Sequence, residues 1–381
     1  MRKQLAAGKQ GPVHILLLAV LILAGCAQAG GKPVETEPGP TDRMELRYAD
    51  QFTVEYDAAG CALVTIGDTD RFLLVPDGTE APEDSSMTVL RTPLKKLYVA
   101  SSSVMDPLSR LDALDAVRLT GTKQEDWTLP AVRSRMEAGE LLYAGKYAAP
   151  DYELLLSEGT DLAVENTMIF HSPETKEQLE ALGIPVLTER SSYESHPLGR
   201  LEWIKLFGLL TGRMAEAEVF FNEQAALAEQ VFVQENTGKT ASFFYISANG
   251  SIIVRRPGDY IAKMIGLAGG EYLPSDLQDG EADARSTMNM QAESFYLAAK
   301  EADVLFYNAT IGGGLDSLEG LLAKGEWLSD FRAVRNGDVW CTEADMFQQS
   351  SGIAGMIDEF RRILSGTADE ESLQYFHRLT D

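Results

Sequence analysis

Apolar side chains recur at Met214, Ala217, Phe221, Ala225, Ala228 and Phe232, while Glu216, Glu218, Glu223 and Glu229 fill positions between them. Steps of three, four and seven residues, with no Gly or Pro over 213–235, predict one amphipathic helix about 35 Å long. Gly212 stands where a shorter helix expected over 198–210 would end. On both sides of this pair, β-type runs alternate with helical ones. A long helix between two such halves predicts a rigid tie joining two lobes.

The chain upstream opens with a different rhythm. Phe52, Val54 and Tyr56 alternate with polar residues, and runs at 61–66 and 72–75 follow turns at 57–60 and 67–70, which predicts a small β-meander over 48–76. A polar, acidic loop over 76–86 separates it from the first lobe. There, strands are expected at 97–100, 117–120, 162–164 and 184–187, with helices between them. After the tie, runs at 242–246 and 251–254 flank Ala248-Asn249-Gly250, a hairpin signal. Strands at 304–307 and 339–341 and a last helix over 352–364 complete the second lobe. The fold class is therefore α/β: two lobes, each a mainly parallel, helix-covered sheet. The boundaries expected are 1–25, 26–42, 43–92 (meander), 93–196 (first lobe), 197–237 (helical link) and 238–381 (second lobe).

Charge narrows the partners. The chain of 381 residues carries 33 Lys+Arg against 58 Asp+Glu, a net −25, which phosphate backbones would repel, so nucleic acid is excluded as a partner. Arg2, Lys3 and Lys9 precede an apolar run over 13–23, the pattern of a secretory signal peptide. Leu23-Ala24-Gly25-Cys26 follows directly and resembles the lipobox of bacterial lipoproteins. That resemblance implies cleavage before Cys26, lipid attachment to its thiol and residence on the extracytoplasmic face of the membrane. An ordinary cleavage after Ala27-Gln28-Ala29 is the alternative. Residues 27–42, rich in Gly, Pro and Glu, read as a tether. Cys61 and Cys341 are left, spaced for neither a redox nor a zinc motif. They either pair or sit buried as thiols.

Catalytic signatures are missing: the sequence holds no G-x-S-x-G, H-E-x-x-H, P-loop or G-x-G-x-x-G at a strand–helix junction. Beyond the leader it has only His171, His196 and His377, too scattered for a bare-metal site. No cofactor, catalytic residue or resident metal is expected. In open α/β sheets, ligands bind beyond the carboxyl ends of the strands. On that rule the candidates in the first lobe are Ser101, Ser102, Met105, Tyr147, Asn166, Met168 and His171. Those of the second are Arg255, Arg256, Asn308, Trp340, Phe347 and Gln348. Aromatics with a few polar groups suit a large, partly apolar ligand, and the Arg pair an anionic one.

Several stretches, in this order, resemble a known family. They are 151–156 (DYELLL) leading to 161–164 (DLAV), 179–186 (LEALGIPV), the helix between the lobes, 267–271 (LAGGE), and 291–306 with Glu293 and Ala302-Asp303-Val304. Together, over about 95–364, they are similar to the class III substrate-binding lipoproteins of ABC importers for iron–siderophores, haem and cobalamin. The resemblance implies capture of a metal chelate without chemistry, and delivery to an ABC permease and its ATPase. In that family, glutamates at the positions of Glu153 and Glu293 dock on permease arginines. The meander departs from the simpler family members. A secreted α/β enzyme on the same scaffold, or a surface adhesin built on the meander, are the competing readings.

Overall fold

A computed structural model describes residues 42–68, 70–81, 87–276 and 286–381. The leader, the lipobox with Cys26 and nearly all of the tether lie outside the described residues. No described helix is long and apolar enough to cross a membrane.

The expected tie exists, but as the outer half of a helical hairpin. The helix Met214–Phe232 buries Ala217, Phe221, Ala225, Ala228 and Val231 and leaves its acidic face in water. At 1.5 Å per residue its 19 residues span about 28 Å, shorter than the pattern promised. It stops because Val233 is followed by Gln234-Glu235-Asn236-Thr237-Gly238, a polar run with no apolar face left to bury. The helix before it, Pro197–Thr211, is the more deeply held: twelve of its fifteen residues are buried. Pro197 opens it, His196 Nδ1 accepts from the Leu198 amide, and Gly212 closes it at φ 74°.

Two sheets lie on one side or the other of this hairpin. The first-lobe strands are β6 (Leu97–Val99), β7 (Val117–Thr120), β8 (Leu142–Tyr143), β11 (Leu162–Asn166) and β12 (Val186–Glu189); a two-residue-strand hairpin, β9 (Gly145–Lys146) and β10 (Ala149–Pro150), sits apart. Their order is β12-β11-β6-β7-β8, all parallel. The second-lobe sheet holds β13 (Lys239–Ile246), β14 (Ile252–Arg255), β15 (Gly270–Leu273), β16 (Thr287–Met290), β17 (Val304–Tyr307), β18 (Val339–Thr342) and β19 (Phe376–Arg378). Its path runs β16-β14-β13-β17-β18-β19, with β15 also on β13. Its centre is parallel and the strands toward its rims, β14, β16 and β19, pair antiparallel.

Strand alternation assigns the faces. Leu97, Val99, Leu162 and Val164 of one sheet and Ala241, Phe243, Val304 and Phe306 of the other join Leu206, Phe207, Ala217 and Phe221 in one continuous core. The outer faces form two separate cores, one around Tyr98, Leu155 and Leu179, the other around Phe244, Phe295 and Phe331. Cys61 and Cys341 are buried free thiols in different clusters, so they do not pair.

The N-terminal strands are β1 (Asp42–Arg43), β2 (Phe52–Tyr56), β3 (Ala62–Ile66), β4 (Asp70–Pro76) and β5 (Thr88–Thr92). β2, β3 and β4 form the expected meander, and two strands the pattern did not announce join it, β1 antiparallel to β2 and β5 parallel to β4. This sheet is packed on the buried helix, with Phe52 edge-on to Trp203 at 5.0 Å. What holds it there is unusual chemistry. Glu202, fully buried in mid-helix, accepts from the backbone amides of Arg47 (3.0 Å), Tyr48 (2.8 Å) and Ala49 (2.9 Å), and from Lys205 Nζ at 2.7 Å. Glu194, 4% exposed, takes the next two amides, Asp50 at 2.7 Å and Gln51 at 3.2 Å, plus the Trp203 indole at 2.6 Å. Burial pushes the Glu194 carboxyl up to about 7 against the pull of those donors. Gly199 lets the segment this close: a Cβ there would meet the Tyr48 carbonyl at 2.9 Å.

The same sheet stands beside β12, an edge strand whose four residues are all buried. Lys176 of the helix Pro173–Ala181 reaches Asp70 at 3.1 Å across the gap. At the other end of the chain, β19 is fastened through His377. Its Nδ1 meets Glu343 Oε1 at 2.7 Å and its Nε2 the Leu315 carbonyl at 2.8 Å. Cys341 beside it, that carbonyl and Glu343 hold the imidazole protonated, up to about 10.

Replacing Glu202 by Ala takes the acceptor from the amides of Arg47, Tyr48 and Ala49 and leaves the buried Lys205 ammonium without its counter-ion. Breaking a buried pair in this way is expected to cost about 3–5 kcal/mol in urea unfolding. Wild-type stability in Glu202→Ala would refute the clamp.

Candidate functional site

The carboxyl ends of the first-lobe strands bring together polar groups in a small space. Ser101, which follows β6, is 1% exposed; its Oγ lies 3.0 Å from Ser103 Oγ and 3.4 Å from Glu189 Oε2 at the end of β12. Glu189 also accepts from the Ser191 amide at 2.6 Å. Ser102 is half-buried beside them, and Met105 is fully buried beneath, in the core. At the end of β11, Asn166 Oδ1 accepts from the Met168 amide at 2.8 Å and opens a turn over Thr167–His171. That turn leaves Met168 and Phe170 about half exposed (46% and 48%), with His171 exposed beside them. Tyr147 is half-buried in the β9–β10 hairpin.

In the second lobe the same rule gives a split result. Phe347 and Arg255 meet, with the guanidinium 5.1 Å from the Phe347 ring and 5.7 Å from that of Phe243. Arg255 is buried and lies 3.6 Å from Asp259, the N-cap of the helix Tyr260–Leu267, whose carboxylate accepts from the Ile261 amide. Burial pushes the Asp259 carboxyl up, and Arg255 opposes it. Arg256 is half-buried, its amide bonded to the Ser286 carbonyl at 3.0 Å. Asn308 and Trp340 point inward instead. Asn308 caps the short helix Ala309–Gly312 through the Thr310 amide, and Trp340 is 1% exposed beneath Arg378.

Between the lobes runs a seam of hydrogen bonds. Gln348 spends its whole amide on it: Oε1 accepts from the Thr128 amide (2.9 Å) and hydroxyl (2.7 Å), and Nε2 donates to the Asp126 carbonyl at 2.8 Å. Ser350 Oγ donates to the Ser103 carbonyl at 2.5 Å. The Ser351 amide and hydroxyl both donate to Asp106, which is buried. Further along, Lys263 Nζ donates to the Ser195 carbonyl at 2.6 Å, and Arg200 lies 4.0 Å over the Tyr260 ring. Asp106, Thr128, Ser350 and Ser351, which also carry the seam, are not among the candidates that the strand-end rule yields. Their signal is faint: an acid in the first turn of one helix and a Ser-Ser pair just before another.

Gln348 is therefore part of the seam; Phe347, with Arg255 against it, stands next to it, as do Ser101 and Ser102 beside Ser103, while Tyr147, Asn166, Met168 and His171 lie on the loops that form the first-lobe rim. Met105, Asn308 and Trp340 belong to the interiors. Among the described residues no cluster of His, Cys, Asp and Glu can hold a bare metal ion. The arrangement offers a partly apolar wall, buried hydroxyls and a guanidinium stacked between aromatics, which suits non-covalent binding of a large ligand.

Away from the seam, Glu153 and Glu293 are exposed near the starts of the helices Tyr152–Glu158 and Ala292–Ala299. One turn on from each stands an exposed leucine, Leu156 at 47% and Leu297 at 69%.

No family model matches the chain. An uncharacterized lipoprotein of Methanocaldococcus jannaschii is 22% identical over 96% of this chain and 98% of its own length. Among solved structures, a periplasmic haem-binding protein of Pseudomonas aeruginosa superposes with a TM-score of 0.57 at 14% identity, over 75% of this chain and 98% of that one. A periplasmic vitamin B12-binding protein of Vibrio cholerae does so with a TM-score of 0.51 at 16% identity, over 72% and 98%.

Arg255→Met should destabilise the chain by about 3–5 kcal/mol, because it leaves Asp259 buried without its cation. Adding Asp259→Asn should restore most of that in urea unfolding. An additive double mutant would deny the pair. The two lobes, their helix-covered sheets and the helical link between them give this chain the class III periplasmic-binding-protein fold.

Proposed function

We propose that the chain is an extracytoplasmic substrate-binding lipoprotein that captures a metal chelate and delivers it to an ABC permease and its ATPase. The observation that carries this reading is the seam. The lobes are bonded to each other along it, with the half-exposed Met168 and Phe170 on a loop of one lobe and the Arg255–Phe347 pair next to Gln348 on the other. An apolar rim with a buried guanidinium matches a large, anionic, partly apolar chelate such as a ferric siderophore, haem or cobalamin. The chain does no chemistry on it and holds no cofactor of its own. Glu153 and Glu293, one per lobe and both exposed, supply the two-point contact with permease arginines. Cys26 carries the lipid that keeps the protein at the membrane.

A panel of haem, cobalamin and ferric siderophores in differential scanning fluorimetry should raise the melting temperature for one chelate class; no shift with any of them defeats the ligand assignment. For that chelate, Glu153→Lys with Glu293→Lys should abolish uptake at unchanged affinity, and normal uptake would remove the docking role. Two acyl chains hold a protein at a bilayer far more durably than one. Cys26→Ser should therefore shift the protein from the membrane to the soluble fraction, and a variant still labelled by palmitate would refute the attachment site.

A further inference from the structure

Glu165 is the last fully buried residue of β11 before the rim turn, 0% exposed, and neither of its carboxylate oxygens has a hydrogen-bond partner. Directly across the strand pair sits Thr188 of β12, also 0% exposed, its hydroxyl equally without a partner. Both belong to the outer face of the first-lobe sheet, beneath the helices Tyr152–Glu158 and Pro173–Ala181. Besides Glu165, the groups placed on that face are uncharged. Tyr98 donates to the Gly145 carbonyl at 2.9 Å, Tyr143 and Tyr152 lie near Tyr98, and Thr175 Oγ1 donates to the Ala148 carbonyl at 3.4 Å. The cations of the packed elements are engaged elsewhere: Lys176 with Asp70, Lys96 with the Glu158 carbonyl, Arg118 with Glu158. Glu189 lies on the opposite face, bound to Ser191. The remaining charges of these elements, Lys146, Glu153, Glu174, Glu177, Glu180 and His171, are exposed at the surface.

An ionised carboxylate in such a place has no donor from the protein, and its desolvation cost far exceeds that of a neutral carboxyl. We propose that Glu165 is a proton-operated latch on the rim of the seam. While it carries its proton, β11 and β12 close dry beneath the Thr167–His171 turn. Once it ionises, water must enter between Glu165 and Thr188, and the turn that presents Met168 and Phe170 loosens. Burial is the cause that pushes this carboxyl up to about 8. The sign follows from proton linkage: the folded chain holds a proton that the unfolded chain has released, so stability falls as pH rises from the ordinary glutamate range toward about 8. The consequence for the rim is steepest on the alkaline side of neutrality. This holds whatever ligand the seam takes.

The test needs no ligand. In the full wild-type chain labelled with ¹³C at glutamate carboxyls, one resonance should titrate with a midpoint above about pH 7, and Glu165→Gln should remove it. Hydrogen exchange corrected for base catalysis should show protection over residues 167–172 falling about tenfold or more between about pH 6 and about pH 9.5 in wild type and staying level in Glu165→Gln. A midpoint in the ordinary glutamate range overturns the latch even if the variant fails to fold. So does the same loss of protection in Glu165→Gln. A midpoint that sodium, potassium or calcium ions displace downward would also overturn it, because a cation rather than a proton would then neutralise the site.

Discussion

Five consecutive amides, from Arg47 to Gln51, end on two buried carboxylates, Glu202 in the helical link and Glu194 just before it, and the placement of the N-terminal sheet depends on that grip. A carboxylate inside a protein is tolerable only when its lone pairs are taken, and here backbone donors take them. The two partners are far apart in sequence, so the contact ties the N-terminal segment to the buried helix and to the end of the first lobe. Without it, Phe52 and Trp203 would still be apolar neighbours, but nothing would fix the register between the sheet and the helix. Lys205 completes the arrangement by bonding Glu202 and the Glu45 carbonyl together.

Local patterns carried much of the fold. The alternation of Phe52, Val54 and Tyr56, the apolar stripe from Met214 to Phe232, the φ-permissive Gly212 and the Asn249-Gly250 turn each act over a few residues, and each produced the element expected. What escaped was set by distant partners. β5 and β19 are short strands that exist because β4 and β18 offer them an edge, and no periodicity over three to five residues announces that. The depth of Glu202 was equally hidden: a glutamate among apolar helix residues reads as the polar face until the segment 47–49 is known to lie on it.

The site was legible by rule and illegible by residue. The strand-end rule led to Gln348, which is in the inter-lobe bonds, and to Ser101, which lies beside them, whereas Arg255 ends β14, a strand antiparallel to β13 whose carboxyl end runs the other way. The rule does not say which way a side chain at a strand end turns. Asn308 turned to cap its own helix, and Trp340 turned into the core, because each strand end offers two faces and the sequence does not tell them apart. The bonds that join the lobes, from Asp106 to Ser351 and from Thr128 to Gln348, link residues more than two hundred positions apart and carry no local mark.

The single core that runs beneath both sheets has a kinetic meaning. Lobes that share packed side chains with the same helical hairpin cannot swing apart without exposing apolar surface, at about 25 cal/mol per Å². On the proposed reading, a ligand in the seam would therefore meet no large opening step. Its arrival would be limited by diffusion and orientation, and its residence time by the contacts it makes rather than by a closed door. Its release would require those contacts to be weakened locally, and not the two halves of the molecule to be prised apart.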